Sequence, residues 1–280
     1  NKGTLDYRQK DWNESYSRSY YRQGVNGYTY YRSRHTICFE GEVDPRCDSL
    51  LTTVPPGEKY SMRLGNWYNG EGESVTYTHK IDSGHKLVLL LKYAVVLQDP
   101  GHEFADQPKF ILEILYEGQP LDKYGCGEAY FSSGYNTDGW TPFVGTNSDG
   151  LYKDWTTVGI NLREYHGKVL KIKLVTYDCN AGGHFGYAYF TLGCSNGKIQ
   201  GLSCGGDPET IFRGPEGFNY RWYLPSEPEK TLSTAQEIKL PANDTLTYAL
   251  DVIQPTNKNC YYTLYASAVG RYPCAAADYK

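Results

Sequence analysis

Two short segments of the chain concentrate side chains that bind metals or move protons. QDPGH occupies residues 98–102 and YDCNAGGH residues 177–184. Each follows a strongly apolar run and each ends in a histidine, so Asp99, His102, Asp178 and His184 form a candidate set of two carboxylates and two imidazoles. That donor set suits zinc or another borderline divalent cation, provided the two preceding strands are neighbours. Short fixed spacings such as HxH or HExxH are absent. The competing expectation is that both aspartates cap turns and both histidines donate to backbone carbonyls. Within the same stretch Cys179 is expected in a disulfide, and Gly182-Gly183 supply the tight turn that feeds a closing strand, FGYAYF.

A second kind of chemistry belongs to aromatic rings on polar loops. LGNWYNGEGE (64–73) carries Trp67 and Tyr68, and SSGYNTDGWTPF (132–143) carries Tyr135 and Trp140. Exposed rings on Gly/Asn-rich loops stack on the apolar faces of sugars, while Asn and Asp bond the hydroxyls. The alternative is that each indole folds back over an open end of the fold; Trp155 in KDWTTV is assigned to the core. An enzymatic reading would pair Glu113 or Glu128 with Asp178 as glycosidase acid and base. With 32 acidic residues such pairs are easy to draw, and neither a GxSxG elbow nor a P-loop is present. The expectation is therefore a protein that binds without catalysis.

The elements that must position these groups are strands. Among 280 residues there are 28 Tyr, 30 Gly and one Met, a composition of sheets and turns. A net charge of −4 argues against a nucleic-acid partner. SVTYTHKI (74–81) alternates in polarity, and FILEILYE puts Phe110, Leu112, Ile114 and Tyr116 on one face. VLKIKLVTYD likewise puts Leu170, Ile172, Leu174 and Thr176 opposite Lys171 and Lys173. LVLLLKYAVVL (87–97) is continuously apolar, as a strand buried on both faces would be, yet too short to span a bilayer. No membrane insertion is expected.

Helical periodicity is absent, and the expected fold class is all-β: a jelly-roll-like sandwich over 34–196 followed by a smaller immunoglobulin-like sandwich over 197–274. Trp222 in FNYRWYL is the core tryptophan of the second. Residues 1–33 form a Tyr/Arg-rich arm or edge segment, and residues 275–280 (AAADYK) read as a linker with the start of an affinity tag. Eight cysteines without CxxC spacing imply disulfides and an extracellular setting. Cys38 with Cys47 and Cys204 with Cys260 are the candidate bridges, and the full connectivity stays open. Sequons begin at Asn13 and Asn243.

RHTI (34–37), TVPPGEKYSMRLGN (53–66), KYAVVLQDPGHEFADQPKF (92–110), KDWTTVGINLREYHGK (153–168) and YDCNAGGHFGYAYF together resemble a domain of large surface proteins of Bacteroidota, many of them gliding or adhesin-like cargo of type IX secretion. The order of these segments is similar, more distantly, to jelly rolls of the MAM and carbohydrate-binding type, and PEGFNYRW looks like their immunoglobulin-like companions. The resemblance implies an adhesin fragment at the bacterial cell surface or secreted. Its partners would be a glycan or host glycoprotein and the neighbouring domains of a longer parent chain. A structural stalk is the alternative, and an accessory module of a secreted glycosidase or peptidase the third. Related modules often hold a structural calcium with an Asp on the terminal strand. AYFTLGC instead has Thr191 and Leu192 there, which argues against calcium at that strand; a structural divalent metal, calcium or zinc, is the one cofactor the sequence leaves open.

Overall fold

A computed structural model describes residues 3–7, 35–67, 72–81, 88–121, 126–145, 148–162, 165–180, 183–195, 197–203, 207–241 and 245–267. Among the described residues all regular structure is strand, so the protein is all-β. In chain order the first strands are β1 (Gly3–Tyr7), β2 (His35–Phe39), β3 (Tyr60–Leu64), β4 (Gly72–Lys80), β5 (Val88–Gln98) and β6 (Lys109–Tyr116). They are followed by β7 (Gln119–Pro120), β8 (Glu128–Ser132), β9 (Thr141–Gly145), β10 (Ser148–Asn161), β11 (Val169–Tyr177) and β12 (Gly186–Ser195). The remainder are β13 (Gln200–Gly201), β14 (Glu209–Arg213), β15 (Asn219–Tyr223), β16 (Thr231–Ser233), β17 (Glu237–Pro241), β18 (Thr247–Ile253) and β19 (Tyr261–Ser267).

The chain divides into two compact units. The first holds Asn1–Ser83, Leu91–Thr156 and Tyr165–Gly193, and the second Gly84–Leu90, Thr157–Glu164 and Cys194–Lys280. In the first unit two six-stranded sheets form a sandwich, one ordered β1-β4-β11-β6-β7 with β8 also on β6, the other β2-β3-β12-β5-β10-β9. β11 pairs antiparallel with both neighbours, setting Ile172 beside Ile114 and Leu174 beside Leu112. Phe110, Leu112, Ile114, Leu170 and Ile172 are wholly buried, as the alternation in the sequence requires. Tyr93 of β5 stacks on Phe110 of β6 at 5.3 Å, which is where the two sheets meet. β5 is buried along both faces, and its Lys92 pairs with Glu58 at 2.9 Å. β1 lies antiparallel on β4 as an edge strand, while the Tyr/Arg-rich residues 8–34 fall outside the described residues.

The loop from β2 to β3 is organised by one carboxylate. Asp44 is fully buried; its Oδ1 accepts the backbone N–H groups of Arg46 and Cys47 at 2.6 and 3.1 Å. Its Oδ2 accepts the hydroxyls of Tyr187 and Tyr189 at 2.9 and 2.7 Å. The expected Cys38–Cys47 bridge does not form. Cys47 is a buried thiol, and the Cys38 Sγ donates to the Thr36 carbonyl at 3.9 Å. Both side chains serve as small apolar pieces of the cluster that contains Leu51, Val54, Trp67 and Tyr187, a role that suits buried cysteine. Cys126 and Cys260 are disulfide-bonded, and Cys204, the expected partner of Cys260, lies outside the described residues.

The second unit carries a three-stranded sheet, β13-β14-β17, and a four-stranded sheet, β16-β15-β18-β19. Phe212, Ile238 and Leu240 of the former share one core with Trp222, Tyr248, Leu250, Val252 and Leu264 of the latter. Trp222 is wholly buried, and its indole N–H donates to the Ala235 carbonyl at 3.0 Å, so this ring is the pivot of the small sandwich.

One glycine explains why the closing strand of the first unit begins HFG. A Cβ on Gly186 would lie 2.7 Å from the Tyr177 carbonyl oxygen and 3.1 Å from Leu97. Backbone cannot yield as a flexible side chain does, so Gly186→Ala is expected to cost about 1–3 kcal/mol in chemical denaturation. Wild-type stability in that variant would show that the strand crossing is looser than described.

Candidate functional site

The segment after β5 and the loop between β11 and β12 meet at one end of the first unit. The preceding strands β5 and β11 belong to different sheets, but the second loop leads into β12, the neighbour of β5, and the Gln98 N–H bonds the Phe185 carbonyl at 3.0 Å. The Asn180 side chain joins them, donating from Nδ2 to the Ala105 carbonyl at 3.0 Å and to Asp106 Oδ1 at 3.2 Å. The Asn180 backbone N–H also reaches the Asp106 carbonyl at 3.3 Å.

Inside this junction stand three of the chain's potential ligands. The rings of His102 and His184 meet edge to face at 4.9 Å between centroids. Cys179 Sγ lies 3.2 Å from His184 Nδ1, and the Gly183 N–H donates to the same sulfur at 3.3 Å. The turn is closed by the Cys179 N–H on the His184 carbonyl at 2.9 Å. One ligand atom from each of His102, Cys179 and His184 falls within 4.8 Å of the others. Desolvation first, and then the adjacent His102, hold the His184 imidazole below the ordinary histidine pKa, which favours its neutral, ligating form.

The two aspartates of the expected four-ligand set are committed elsewhere. Asp99 Oδ1 accepts the Gly101 N–H at 3.3 Å and Gln107 Nε2 at 3.2 Å, and Asp178 Oδ1 accepts the Gly186 N–H at 2.8 Å. They cap turns, because a carboxylate beside unsatisfied backbone donors is stabilised by bonding them. Cys179, expected in a disulfide, carries a thiol beside His184 instead. Of the carboxylates weighed for hydrolysis, Glu113 stands opposite Glu128 across β6 and β8 and pairs with Lys173 at 3.4 Å.

A few residues away the surface is aromatic. Phe104, Tyr130 and Tyr135 are 43%, 38% and 39% exposed. Phe104 packs edge-on to Tyr135 at 5.0 Å and beside Tyr130 at 5.9 Å, so the three rings form one continuous patch. Lys109 places its Nζ 5.5 Å from the Phe104 ring while bonding the Ala105 carbonyl at 2.8 Å. Tyr130 points away from the core because its neighbour Phe131 points inward, stacked on Phe110 at 6.3 Å. Asn136, with φ of 58°, turns the loop that presents Tyr135.

The tryptophans expected on this surface are buried. Trp140 is 8% exposed and packs edge-on against Phe131 at 5.1 Å. Lys153 lies 5.9 Å from its ring, and burial depresses the pKa of that amine. Trp67, also 8% exposed, is held between Arg46 at 5.7 Å and the fully buried Arg63 at 4.7 Å. Burying an indole removes more apolar area from water than its loop loses in freedom, which is why both rings fold inward. Tyr68 lies outside the described residues. Of the four expected aromatic contacts, Tyr135 alone is described at the surface. Phe104 and Tyr130 lie beside it, and the aromatic in the polar loop GHEFADQ is the sequence signal for Phe104.

No known family's sequence profile matches the chain, and no curated protein matches it. Among solved structures it is similar to TmCBM61 in complex with β-1,4-galactotriose, at 7% identity and a TM-score of 0.29 over 69% of this chain and 88% of that one. It is also similar to CBM27-1 of Caldicellulosiruptor saccharolyticus in complex with mannohexaose, at 10% identity and a TM-score of 0.27, covering 57% and 87% of the two chains. A third likeness, at 14% identity and a TM-score of 0.26, is to the glycoside hydrolase domain of Endo-D from Streptococcus pneumoniae R6, covering 84% of this chain and 37% of that one.

Proposed function

We propose that the first unit is a non-catalytic glycan-binding module of an extracellular adhesin, and that Phe104, Tyr130 and Tyr135 are its sugar platform. The observation that carries this reading is the contiguity of three half-exposed rings, at 5.0 and 5.9 Å, on one sandwich. An aromatic patch of this kind matches the apolar face of a pyranose, whose hydroxyls point outward in its plane. Asp106, Asn180 and the Lys109 ammonium, on or bonded to the loop that holds Phe104, are the polar groups offered to those hydroxyls. The finer assignment to a bacterial surface adhesin rests on the segments quoted above that resemble Bacteroidota surface proteins.

Glycan-array screening of the whole chain, followed by titration of the strongest hit, tests this. Tyr135→Ala and Phe104→Ala should each weaken binding by at least ~1 kcal/mol, about fivefold, without lowering the melting temperature. Trp140→Ala acts through stability instead, because its ring is interior. A chain that binds no glycan, or one whose binding ignores both platform substitutions, would overturn the assignment and leave a spacer role as the better account.

A further inference from the structure

We infer that His102, Cys179 and His184 bind one zinc ion, each through a single side-chain atom, with a fourth position left for water or an external ligand. The three ligand atoms already lie within 4.8 Å of one another, on two loops that Asn180 fastens together. In a tetrahedral site with Zn–S near ~2.3 Å and Zn–N near ~2.0 Å, ligand atoms stand roughly 3.3–3.6 Å apart. The Cys179 Sγ to His184 Nδ1 separation of 3.2 Å is already close to that edge, so this pair needs little rearrangement to share an ion.

A second observation points the same way. His102 Nδ1 is buried and has no hydrogen-bond partner among the described residues. A buried polar atom left unpaired is costly, and such atoms ordinarily mark a missing partner. The Gly183 N–H directed at Cys179 Sγ is the kind of outer contact that stabilises a metal-bound thiolate.

The donor chemistry selects the cation. Two imidazoles and one thiolate suit zinc and disfavour calcium or magnesium, which require oxygen ligands. Asp99 and Asp178, the nearby carboxylates, are turned to backbone and amide donors. On binding, the Zn–S bond replaces the Cys179 S–H bond and the proton passes to solvent. The ion would tie the QDPGH segment to the YDCNAGGH loop beside the Phe104 ring, and its fourth position is where an external donor would enter. This inference stands independently of glycan binding.

Cobalt(II) titration of the metal-free, disulfide-intact protein provides the test. One equivalent is expected to raise a thiolate-to-cobalt charge-transfer band together with the intense d–d bands of tetrahedral cobalt, and one equivalent of zinc should abolish both. Cys179→Ser should remove the charge-transfer band, and His102→Ala or His184→Ala should weaken binding ~tenfold or more. Asp99→Asn should leave the affinity unchanged, which separates this ligand set from one that includes the aspartates. The wild-type titration decides the matter even if a variant misfolds. Failure to bind one equivalent, or a charge-transfer band that persists in Cys179→Ser, would overturn the site.

Discussion

Asp44→Ala is expected to destabilise the first unit by about 3–5 kcal/mol, because four hydrogen bonds lose their common acceptor and each buried donor left unsatisfied costs about 1–3 kcal/mol. The substitution leaves the Tyr187 and Tyr189 hydroxyls, both in wholly buried side chains, without the Oδ2 they share. It also leaves the Arg46 and Cys47 N–H groups without the Oδ1 that shapes the loop. Asp44→Asn should lose less, about 1–2 kcal/mol, because an amide oxygen can still accept the backbone pair and a tyrosine can turn from donor to acceptor. Urea denaturation followed by tryptophan fluorescence measures both losses. Adding Tyr187→Phe to Asp44→Ala should recover part of the deficit, since a phenyl ring strands no donor. Additive losses would contradict the network.

The part of the fold that was legible in sequence is the part governed by local period. FILEILYE and VLKIKLVTYD alternate because each lines one face of the same core, and in the structure they lie side by side with Leu112 against Leu174. LVLLLKYAVVL is continuous because β5 is interior to its sheet and buried on both faces. What local period does not encode is membership. Gly84–Leu90 and Thr157–Glu164 group with the second unit although β5 and β10 run on into the first. A strand looks the same in sequence whichever core its two ends serve.

Residue type and order bring out the two loops of the candidate site, but not which of their side chains face one another. His102 and His184 come together because His102 follows β5 and His184 leads into β12, its neighbour in the same sheet, and Cys179 lies with them while the aspartates bond turn donors. An even cysteine count favours disulfides over thiols only as a statistical matter, whereas among the described residues four cysteines are thiols and two of these fill core volume. The aspartates went to turn donors two and eight residues onward, a local competition that residue type alone does not resolve. The loop tryptophans leave both orientations open in sequence for a similar reason. Composition marks a polar loop, but the direction of a ring is set by whether a hollow such as that beside Phe131 lies beneath it.

Alkaline pH should unfold the first unit more steeply than surface tyrosines can account for. Burial raises the pKa of Tyr93, Tyr187 and the Cys47 thiol, with Asp44 adding to the effect for the latter two. For such groups the protonated, neutral form belongs to the folded state. Their stabilisation is therefore complete below the unfolded pKa values, near ~8.5 for cysteine and ~10 for tyrosine, and is lost as pH climbs toward the folded ones. Between those limits each group costs ~1.4 kcal/mol of stability per pH unit. With all three engaged the slope above about pH 10 approaches ~4 kcal/mol per unit, enough to exhaust a stability of ~5–15 kcal/mol within a few units. Exposed tyrosines titrate alike in both states and contribute nothing to this slope. Denaturant midpoints measured from about pH 8 to about pH 11 should fall slowly at first and then sharply, with Tyr93→Phe removing about a third of the final slope. The tyrosinate absorbance of the buried pair should appear only as the unit unfolds, and a midpoint that stays level through about pH 11 would show that these hydroxyls reach water in the folded state.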